Sequence, residues 1–511
     1  MTPKIAVFPA AFLILAALAI TLPASQGAPG LASETWESKA PSPAPEPPVW
    51  VVSWAASQQI PEPQNALPTD DLRDTTLRQI FHLSLGGSAL RVHISNAFGT
   101  APLHLTSVHI AHPISPATSD IDPATDKPLT FAGHTDVTIP PGAEMLSDPI
   151  EAPIPALSDI AVTIHYDQPP SRQTSHPGSR ATSYYVHGDL ASSPNLTPLF
   201  VADAHGNATV GDSNPSAFSE NQKTASPLAG AIAEPKQIDH WYQISAIDVL
   251  APAPAAAIVA LGDSITDGHG ATTNGNDRWT DIFAARLQAS ALDPRPETPD
   301  PSRNPKPQTR DPKPHPTPDT QYPTSIGVAN AGIGGNHLLT DGLGPNALAR
   351  FDRDVLAQAG VHWLIVFEGV NDLGGLAIHG EVPPAEHAAF VDRVLASYAQ
   401  VIARAHAHGI KVIGATITPY VGSSYYHPGP LSEADRQAVN TWIRDAGIRA
   451  AAAGDRDSTH FDAVIDFDAI VRDPTHRDQL LPAFDCGDHL HPSPAGYRAM
   501  ANSIPLTLFA Q

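Results

Sequence analysis

The sequence predicts an all-β domain of sandwich or jelly-roll type, followed by an α/β domain built on a parallel sheet. Between residues 49 and 252, short runs alternate apolar and polar side chains, which is typical of antiparallel strands with one buried face. Over residues 253–511, short apolar runs alternate with stretches of helical periodicity, which indicates buried strands covered by helices. A chain of 511 residues is long enough for both domains to have their own core.

The composition indicates a folded, acidic protein and argues against a nucleic-acid partner. The chain contains 29 Lys and Arg against 52 Asp and Glu, a formal net charge of −23, and no basic run that would bind phosphates. Hydrophobic residues make up 42% and charged residues 16%, as expected for a globular chain. The single cysteine, Cys486, excludes an intrachain disulfide and a zinc site of the Cys-pair kind.

The first 28 residues have the order of a secretory signal peptide. Lys4 precedes an apolar run from Ile5 to Leu22, and a small-residue stretch follows at 24–28. An uncleaved membrane anchor is the alternative, but Pro9 interrupts a run that barely reaches the ~20 residues needed to span a bilayer. We therefore expect a secreted or periplasmic protein without stable membrane insertion after cleavage. Residues 29–48 are rich in proline and predict an extended linker.

Within the all-β accessory domain, 49–252, the clearest strands flank Gly86-Gly87. Apolar residues at every second position precede the two glycines, and Leu90, Val92 and Ile94 follow them, so the glycines predict a hairpin turn. Residues 190–238 are polar and irregular, which predicts a long loop. Further alternating runs lie at 103–110, 160–164, 184–186 and 241–249.

The α/β domain is predicted to contain five buried strands. Helical sequence at 278–287 follows the first strand, residues 391–402 carry apolar side chains at helical spacing, and Ser432 begins another helix with a capping signature. The segment 292–323 alternates proline with charge and predicts a solvated insertion. The five strands lie at 255–261, 326–331, 363–367, 411–417 and 463–467.

A serine and a histidine–aspartate pair are the first candidates for chemistry. Ser264 follows the first α/β strand directly, within the run Gly262 to Gly268, and precedes helical sequence. Open parallel sheets bind ligands at this edge, and a helix N-terminus can stabilise an oxyanion, although a serine there can also be a plain helix cap. Asp488 lies three residues before His491, so one loop could supply both a base for the serine and the carboxylate that orients it.

Two further blocks end the next two strands. Gly335 lies in the run Asn330 to Asn336 after the second strand, and Asn371 lies in the run Gly369 to Asp372 after the third. A glycine N–H and an asparagine amide at the same sheet edge could stabilise the same oxyanion as the Ser264 N–H. Taken singly, Gly335 could simply occupy a tight turn, and Asn371 could simply form an Asx turn. Four blocks in order, each beyond its own strand, are much harder to explain as turns.

Together the four blocks resemble the GDSL/SGNH hydrolase superfamily over residues 255–511. The resemblance implies a flavodoxin-like α/β/α fold and a hydrolase that acts on ester bonds, without a metal or an organic cofactor. It makes Ser264 the nucleophile, His491 the general base and Asp488 the orienting carboxylate. The implied oxyanion donors are the Ser264 N–H, the Gly335 N–H and the Asn371 side chain.

The all-β domain is similar to modules that precede secreted bacterial SGNH esterases, some of them acetylxylan or other carbohydrate esterases. The similarity rests on the runs 54–58, 77–80 and 91–99, and it carries over no functional residue. We therefore expect a secreted serine esterase for short-chain carboxylic esters, with acetyl groups on carbohydrate as the first expectation. A lipase, lysophospholipase or thioesterase on the same fold is one alternative. A carbohydrate- or surface-binding protein with an idle hydrolase domain is the alternative of another class.

Cys486 is an alternative nucleophile that the sequence disfavours. It lacks the strand–turn–helix context of Ser264, and a buried neutral thiol is the expected state. The chain also contains no Gly-x-Ser-x-Gly elbow, which argues against an ordinary α/β-hydrolase. The acyl chain length, the alcohol and the oligomeric state stay open.

Overall fold

The computed structural model describes residues 46–197, 199–202, 208–211, 234–292, 325–453 and 460–509. The predicted signal peptide and nearly all of the predicted linker and insertion lie outside the described residues. Among the described residues, no helix combines the length and the apolar character needed to cross a bilayer.

The first part of the described chain consists of short strands joined by turns and two 3-10 segments, Thr69–Leu72 and Pro123–Thr125. This finding confirms the β-rich character predicted for the region. The strands are β1 (Val49–Ala55), β2 (Thr75–Leu83), β3 (Gly87–Ser95), β4 (Leu103–Leu105), β5 (Ser107–Ala111), β6 (Lys127–Pro128), β7 (Val137–Ile139), β8 (Glu144–Leu146), β9 (Ile150–Ile154), β10 (Ser158–Tyr166), β11 (Ser175–His176), β12 (Ser183–His187), β13 (Leu199–Ala202), β14 (Ala208–Gly211), β15 (Lys236–Ile238), β16 (Trp241–Tyr242) and β17 (Ile244–Ala251).

The second part of the described chain alternates strands with helices. The strands are β18 (Ala255–Gly262), β19 (Ser325–Gly332), β20 (Val361–Phe367), β21 (Lys411–Ala415) and β22 (Ala463–Ile465). The helices are α1 (Ser264–Asp267), α2 (Trp279–Leu292), α3 (Ala347–Phe351), α4 (Val370–Leu376), α5 (Pro384–Ala407), α6 (Pro430–Ala453), α7 (Phe467–Val471) and α8 (Pro494–Ser503). One π-helical turn, Asp352–Leu356, continues α3, and a 3-10 turn, Leu506–Phe509, follows α8.

Two antiparallel sheets form most of the first part. In one sheet the strand order is β1-β17-β3-β8, with β9 also paired to β3, and in the other it is β15-β12-β2-β10-β5-β6. The sheets meet through aromatic rings, because the Trp54 ring on β1 lies 4.4 Å from the Phe81 ring on β2 and 4.9 Å from the Trp241 ring on β16. This region is therefore a sandwich of two sheets, and we call it the sandwich below.

The predicted hairpin at Gly86-Gly87 is wrong. β2 belongs to the six-stranded sheet and β3 to the five-stranded sheet, so the chain crosses between the sheets at the two glycines. A Cβ on Gly86 would lie 2.5 Å from the Ile154 carbonyl oxygen, and a Cβ on Gly87 would lie 2.7 Å from the Leu250 carbonyl oxygen. Close approach of neighbouring backbones, rather than a tight turn, therefore requires glycine at both positions.

Three further expectations for the sandwich change in detail. The run at 103–110 is divided into β4 and β5, and the run at 241–249 is divided into β16 and β17 by Gln243, whose φ is +57°. The segment 190–238, expected to be a loop, contains β13, β14 and β15 in its described parts. Strands this short contain too few alternations of apolar and polar residues to be recognised in the sequence.

The second part is organised around a parallel sheet in the order β19-β18-β20-β21-β22. In chain order this is 2-1-3-4-5, the flavodoxin-like order that the resemblance implied, so this expectation is confirmed. All 8 residues of the interior strand β18 are buried, as its apolar sequence predicted. β18 pairs with β19 on one side and β20 on the other. The direction of winding reverses there, so the ligand edge lies at the carboxyl ends of these three strands.

Several helices begin where the sequence supplies a cap or a proline. Pro384 begins α5, and Ser493 caps α8 by accepting a hydrogen bond at Oγ from the Gly496 N–H. The helix expected to begin at Ser432 begins two residues earlier, at Pro430. Proline suits the first turn because its fixed φ is helical and its missing N–H would have no helical acceptor.

The sandwich lies directly against the parallel sheet, and the described residues of both share one continuous hydrophobic core. The Val52 N–H on β1 donates to the Ala359 carbonyl oxygen at 2.9 Å, and the Val328 N–H on β19 donates to Ser84 Oγ at 2.9 Å. A Cβ on Gly327 would lie only 2.2 Å from the Val52 carbonyl oxygen. Side chains of the sandwich can therefore reach the carboxyl edge of the sheet.

Candidate active site

Ser264 is the first residue of α1, immediately beyond the carboxyl end of β18. Asp263 fixes this turn, because its Oδ1 accepts a hydrogen bond from the Ile265 N–H at 2.9 Å. Gly262 ends the strand without a side chain, and a Cβ there would lie 2.1 Å from Thr266 Oγ1. Ser264 therefore lies at the start of a helical turn, where backbone N–H groups have no helical acceptor.

A chain of hydrogen bonds joins Ser264 to two side chains from the loop before α8. Ser264 Oγ lies 2.8 Å from His491 Nε2, and His491 Nδ1 lies 2.6 Å from Asp488 Oδ2. Because a carboxylate only accepts, His491 Nδ1 donates to Asp488, and Nε2 is left with a lone pair that faces the serine hydroxyl. Ser264 and His491 are 7% and 8% exposed, so little water competes for these hydrogen bonds.

The Asp488 carboxylate is held in place by its own loop. Its Oδ1 accepts hydrogen bonds from the backbone N–H groups of Leu490 at 3.0 Å and His491 at 2.8 Å. Burial alone would raise the pKa of Asp488, but the hydrogen bonds from the His491 ring and the backbone lower this pKa well below its ordinary value. An ionised carboxylate is therefore available to orient the imidazole throughout the neutral pH range.

Gly335 and Asn371 lie close together beyond the ends of β19 and β20. Gly335 has a φ of +67°, which favours glycine. The Asn371 Nδ2 donates to the Asn336 carbonyl oxygen at 2.7 Å, and this hydrogen bond joins the two blocks. The Asn371 Oδ1 accepts from the Tyr426 hydroxyl at 2.5 Å, which fixes the orientation of the amide. An amide group carries two hydrogens, so Asn371 can bind the Asn336 carbonyl and donate once more.

The glycine block also approaches the serine turn. The Ile333 N–H donates to the Gly262 carbonyl oxygen at 3.0 Å, and a Cβ on Gly334 would lie 3.7 Å from Asp267 Oδ2 on α1. The structure thus brings the serine, glycine and asparagine blocks to one edge of the sheet, with the histidine loop hydrogen-bonded to the serine.

A buried arginine, Arg350 on α3, ties together the strand ends that carry these blocks. Its guanidinium donates to the carbonyl oxygens of Gly262 at 3.0 Å and Ala331 at 2.7 Å. It also donates to Asn336 Oδ1 at 2.9 Å and lies 3.4 Å from Glu368, just beyond β20. One side chain with several donors therefore sets the relative positions of three strand ends.

Three buried carboxyl groups, Asp263, Glu368 and Asp372, lie within and beside this network. Burial, reinforced by the negative charge of Asp372, raises the pKa of Asp263 to about 7. Burial and then the charge of Asp263 raise the pKa of Glu368 well above its ordinary value, and burial raises the pKa of Asp372. Protons therefore stay on part of this cluster near neutral pH, which limits the negative charge beneath the site.

Three side chains at the site were not predicted from the sequence: Arg350, Tyr426 and His269. The His269 ring packs against the His491 ring, with centroids 4.0 Å apart and planes tilted by 40°, and its Nε2 lies 3.8 Å from Asp488 Oδ2. Its proximity to the serine block in the sequence was a usable signal. Arg350 and Tyr426 reach the site only through the fold, and no motif in their neighbouring sequence predicts a place at the site.

His269, Asp488 and His491 also have the ligand types of a metal site. One ligand atom from each lies within 4.8 Å of the others. However, Asp488 Oδ2 and His491 Nδ1 are only 2.6 Å apart, whereas two ligands of one tetrahedral zinc ion are separated by about 3.3 Å. The observed geometry therefore suits a shared proton better than a shared metal ion.

The expectation that Cys486 is buried is wrong. The residue is exposed, and its N–H donates to the His491 carbonyl oxygen at 3.0 Å. Partial burial of the sulfur and the negative charge of Asp488 raise the pKa of the Cys486 thiol to about 11. The thiol therefore stays protonated at neutral pH, and it remains a poor candidate for a nucleophile although water reaches it.

A flavodoxin-like parallel sheet, with a serine hydrogen-bonded to a histidine–aspartate pair at its carboxyl edge, is the arrangement of a hydrolase with a serine nucleophile. Residues 258–504 match the family described as GDSL-like Lipase/Acylhydrolase. This part of the chain belongs to that family, within the SGNH hydrolases.

Several solved structures are similar to part of the chain. The acetyl xylan esterase AlAXEase is 18% identical, with 48% of this chain and 96% of that chain covered and a TM-score of 0.30. A catalytic mutant of Axe2, an acetylxylan esterase from Geobacillus stearothermophilus, is 18% identical, with 48% and 91% covered and a TM-score of 0.29. A member of the lipolytic protein G-D-S-L family from Veillonella parvula DSM 2008 is 15% identical, with 48% and 95% covered and a TM-score of 0.29. No curated protein matches the chain.

Proposed function

We propose that the protein is an exported serine esterase that hydrolyses short-chain carboxylic esters, with acetyl groups on carbohydrate as its substrates. The observation that carries the proposal is the chain of hydrogen bonds from Ser264 Oγ through His491 to Asp488. The family membership of residues 258–504 supports the ester-bond chemistry. Export rests on the signal-like N-terminal sequence.

In the first half of the reaction, Ser264 Oγ attacks the ester carbonyl carbon while His491 Nε2 accepts the hydroxyl proton. Asp488, hydrogen-bonded to Nδ1, stabilises the imidazolium that forms. The tetrahedral intermediate then collapses as the bond to the alcohol breaks, and His491 returns its proton to the leaving oxygen. The product of this half is a free alcohol and an acyl group on Ser264.

In the second half, a water molecule replaces the alcohol. His491 accepts a proton from the water as its oxygen attacks the acyl carbon, and then returns a proton to Ser264 Oγ as the acyl bond breaks. The carboxylic acid leaves and the free serine is restored. Both halves pass through an oxyanion, for which we propose the Ser264 N–H, the Gly335 N–H and the Asn371 Nδ2 as donors.

Small acyl groups are favoured by the side chains next to the proposed oxyanion donors. Leu343 packs over the Gly335 turn, where its Cδ1 lies 3.2 Å from the position that a Cβ would occupy. The Tyr426 ring packs against Gly374 on α4, within 2.6 Å of the corresponding Cβ position. Both side chains occupy space beside the donors, which supports acetyl and similarly short chains. The sandwich and the signal-like sequence motivate the extracellular carbohydrate.

Hydrolysis of a series of 4-nitrophenyl esters, from acetate to palmitate, tests the nucleophile and the chain length together. We expect Ser264→Ala to lose at least about a thousandfold in kcat/KM, whereas Ser290→Ala on α2 serves as the matched control and keeps the wild-type rate. Equal rates for wild type and Ser264→Ala would refute the serine esterase. A preference for palmitate would indicate a lipase instead.

Release of acetate from acetylated xylan tests the carbohydrate substrate. We expect acetate release by the wild type and none above background by Ser264→Ala. Good turnover of nitrophenyl acetate without any release from xylan would retain the esterase and reject this carbohydrate substrate.

A further inference from the structure

A segment of the sandwich, residues 176–182, docks on the loop between α1 and α2. The Asn274 N–H donates to the Arg180 carbonyl oxygen at 2.8 Å, and Asn274 Oδ1 accepts from the Thr182 N–H at 2.8 Å. At the other end of the segment, the ring of its first residue, a histidine, lies 2.9 Å from Asp267 Oδ1 on α1. Both ends of the segment are therefore fixed to the half of the protein that carries Ser264.

This docking presents Arg180 to the active site. Arg180 has a φ of +48°, a left-handed conformation that residues other than glycine and asparagine rarely adopt. Such conformations persist only where surrounding contacts enforce them, and they cluster at functional sites. The Arg180 Nη2 lies 3.0 Å from Nδ1 of His269, whose ring packs against the His491 ring.

The contact with Arg180 determines where the His269 proton lies. Because a guanidinium only donates, His269 Nδ1 is the acceptor, and the proton of the neutral ring is on Nε2. The Nε2 atom lies 3.8 Å from Asp488 Oδ2. Burial, followed by the charges of His491 and Arg180, lowers the pKa of His269 to about 4, so the ring is neutral in the range where an esterase works.

We infer that the sandwich contributes Arg180 to the active site as a positioning residue. Arg180 holds the neutral His269 ring in place beside the Asp488–His491 pair. The inference rests on the proposed esterase function and extends it, because it makes the sandwich part of the catalytic unit. Arg180 acts through His269 and does not touch the reacting atoms.

The neutrality of His269 matters when His491 takes the serine proton. A positively charged His269 would repel the charge that His491 acquires and would compete with it for Asp488. While Arg180 donates to His269 Nδ1, a second proton cannot bind there. The titratable and charged groups facing His269 are Arg180 from the sandwich, Asp267 from α1, Asp488 and His491 from the loop before α8, and Tyr497 from α8, whose hydroxyl donates to the His269 carbonyl oxygen at 2.6 Å.

Steady-state kinetics between pH 5 and pH 9 test this role with nitrophenyl acetate. We expect Arg180→Ala to lower kcat about tenfold at pH 6 but only about threefold at pH 8, with KM unchanged, because the freed His269 becomes charged only on the acid side. Arg180→Lys should restore part of the loss, since an ammonium group can supply one donor. Arg172→Ala removes an exposed arginine from the same region and serves as the matched control with wild-type kinetics.

A double-mutant cycle tests whether Arg180 acts through His269. His269→Phe keeps a ring against His491 but removes the acceptor, so adding Arg180→Ala should lower kcat no further. An equal effect of Arg180→Ala in both backgrounds would overturn the inference. A loss confined to esters that carry a carboxylate would also overturn it, because Arg180 would then bind substrate directly.

Nitrogen-15 NMR of the histidine rings reports the tautomer without turnover. The His269 signals, assigned by their absence in His269→Phe, should show the Nε2–H tautomer in the wild type and lose this preference in Arg180→Ala. An unchanged tautomer would overturn the inference, whatever the kinetics. Conversely, full activity of Ser264→Ala together with the expected tautomer shift would refute the esterase and leave the Arg180–His269 contact standing.

Discussion

Replacing Gly178 by alanine tests whether the sandwich supports the nucleophile turn. A Cβ on Gly178 would lie 1.8 Å from Asp267 Oδ2 and 2.4 Å from its Cγ, whereas real Cβ contacts essentially never fall below 3.0 Å. The Asp267 carboxylate cannot rotate away freely, because its Oδ1 is hydrogen-bonded to His176 Nε2 at 2.9 Å. Both side chains of this pair are buried, with exposures of 8% and 5%. The added methyl group must therefore displace α1, break the pair, or do both.

The expected loss of stability follows from these two possibilities. Forcing an extra methyl group into a packed site costs about 1–3 kcal/mol, and leaving a buried hydrogen-bonding group without its partner costs about 1–3 kcal/mol. We therefore expect Gly178→Ala to lower the free energy of unfolding by about 3 kcal/mol. Because α1 begins with Ser264, a shift of about 1 Å in this helix would lower kcat by up to about a hundredfold.

Urea unfolding and nitrophenyl acetate hydrolysis measure the two effects. Gly429→Ala is the matched control, since a Cβ there meets no atom within 4 Å, and its stability should stay within about 0.5 kcal/mol of the wild type. If Gly178→Ala behaved like Gly429→Ala in both assays, the close docking of the sandwich on α1 would be refuted.

Three further perturbations probe the site. Tyr426→Phe removes the hydrogen bond to Asn371 Oδ1, so we expect kcat to fall about tenfold without a change in KM. Tyr425→Phe, at an exposed position, is the control and should keep both constants. A change in KM alone would contradict a role of Tyr426 in orienting the Asn371 amide. Because the pKa of Cys486 is raised to about 11, iodoacetamide at pH 8 should modify it about 100-fold more slowly than a cysteine in a short peptide. Cys486→Ser should keep kcat within about twofold. Rapid inactivation of the enzyme by iodoacetamide would argue against a protonated, non-catalytic Cys486. The pKa of Asp263 is raised to about 7 from about 3.9 in an unfolded chain, so the native state retains a proton that the unfolded state loses between these values. The free energy of unfolding of the wild type relative to Asp263→Asn should therefore be greatest below about pH 4 and fall as the pH rises to about 7. Urea unfolding of both proteins at several pH values measures this difference, and a difference that does not change with pH would disprove the raised pKa.

The sequence was sufficient to predict the parallel sheet and the edge at which the candidate site lies. Buried strands such as β18 are wholly apolar and end abruptly in glycine, and parallel strands bring their carboxyl ends to one edge. Local patterns in the sandwich were less informative. The alternation in β2 and β3 correctly predicted two strands, but alternation cannot specify which sheet each strand joins, and so the hairpin at Gly86-Gly87 was wrongly predicted.

The supporting residues of the site could not be predicted in the same way. The guanidinium of Arg350 binds the Gly262 carbonyl oxygen 88 positions away and Ser57 Oγ 293 positions away. Contacts at such separations depend on the completed fold and leave no periodic signal in either segment. The same reasoning applies to Arg180, which reaches His269 across 89 positions. His269 was the exception, because it lies within one turn of the nucleophile block and could have been suspected from that position alone.

The contacts between the two regions argue that residues 253–511 do not form the catalytic unit by themselves. Arg350, which joins the strand ends, donates to Ser57 Oγ of the sandwich at 2.8 Å, and Val328 on β19 donates to Ser84 Oγ at 2.9 Å. Without the sandwich, water could replace these acceptors, but the apolar side chains of β19 beneath β1 would be exposed at a cost of about 25 cal/mol per Å². The interface therefore contributes to stability independently of any role in catalysis. Arg180 reaches the active site through this same interface, which the fold already maintains. Its contact with His269 therefore needs no additional domain rearrangement.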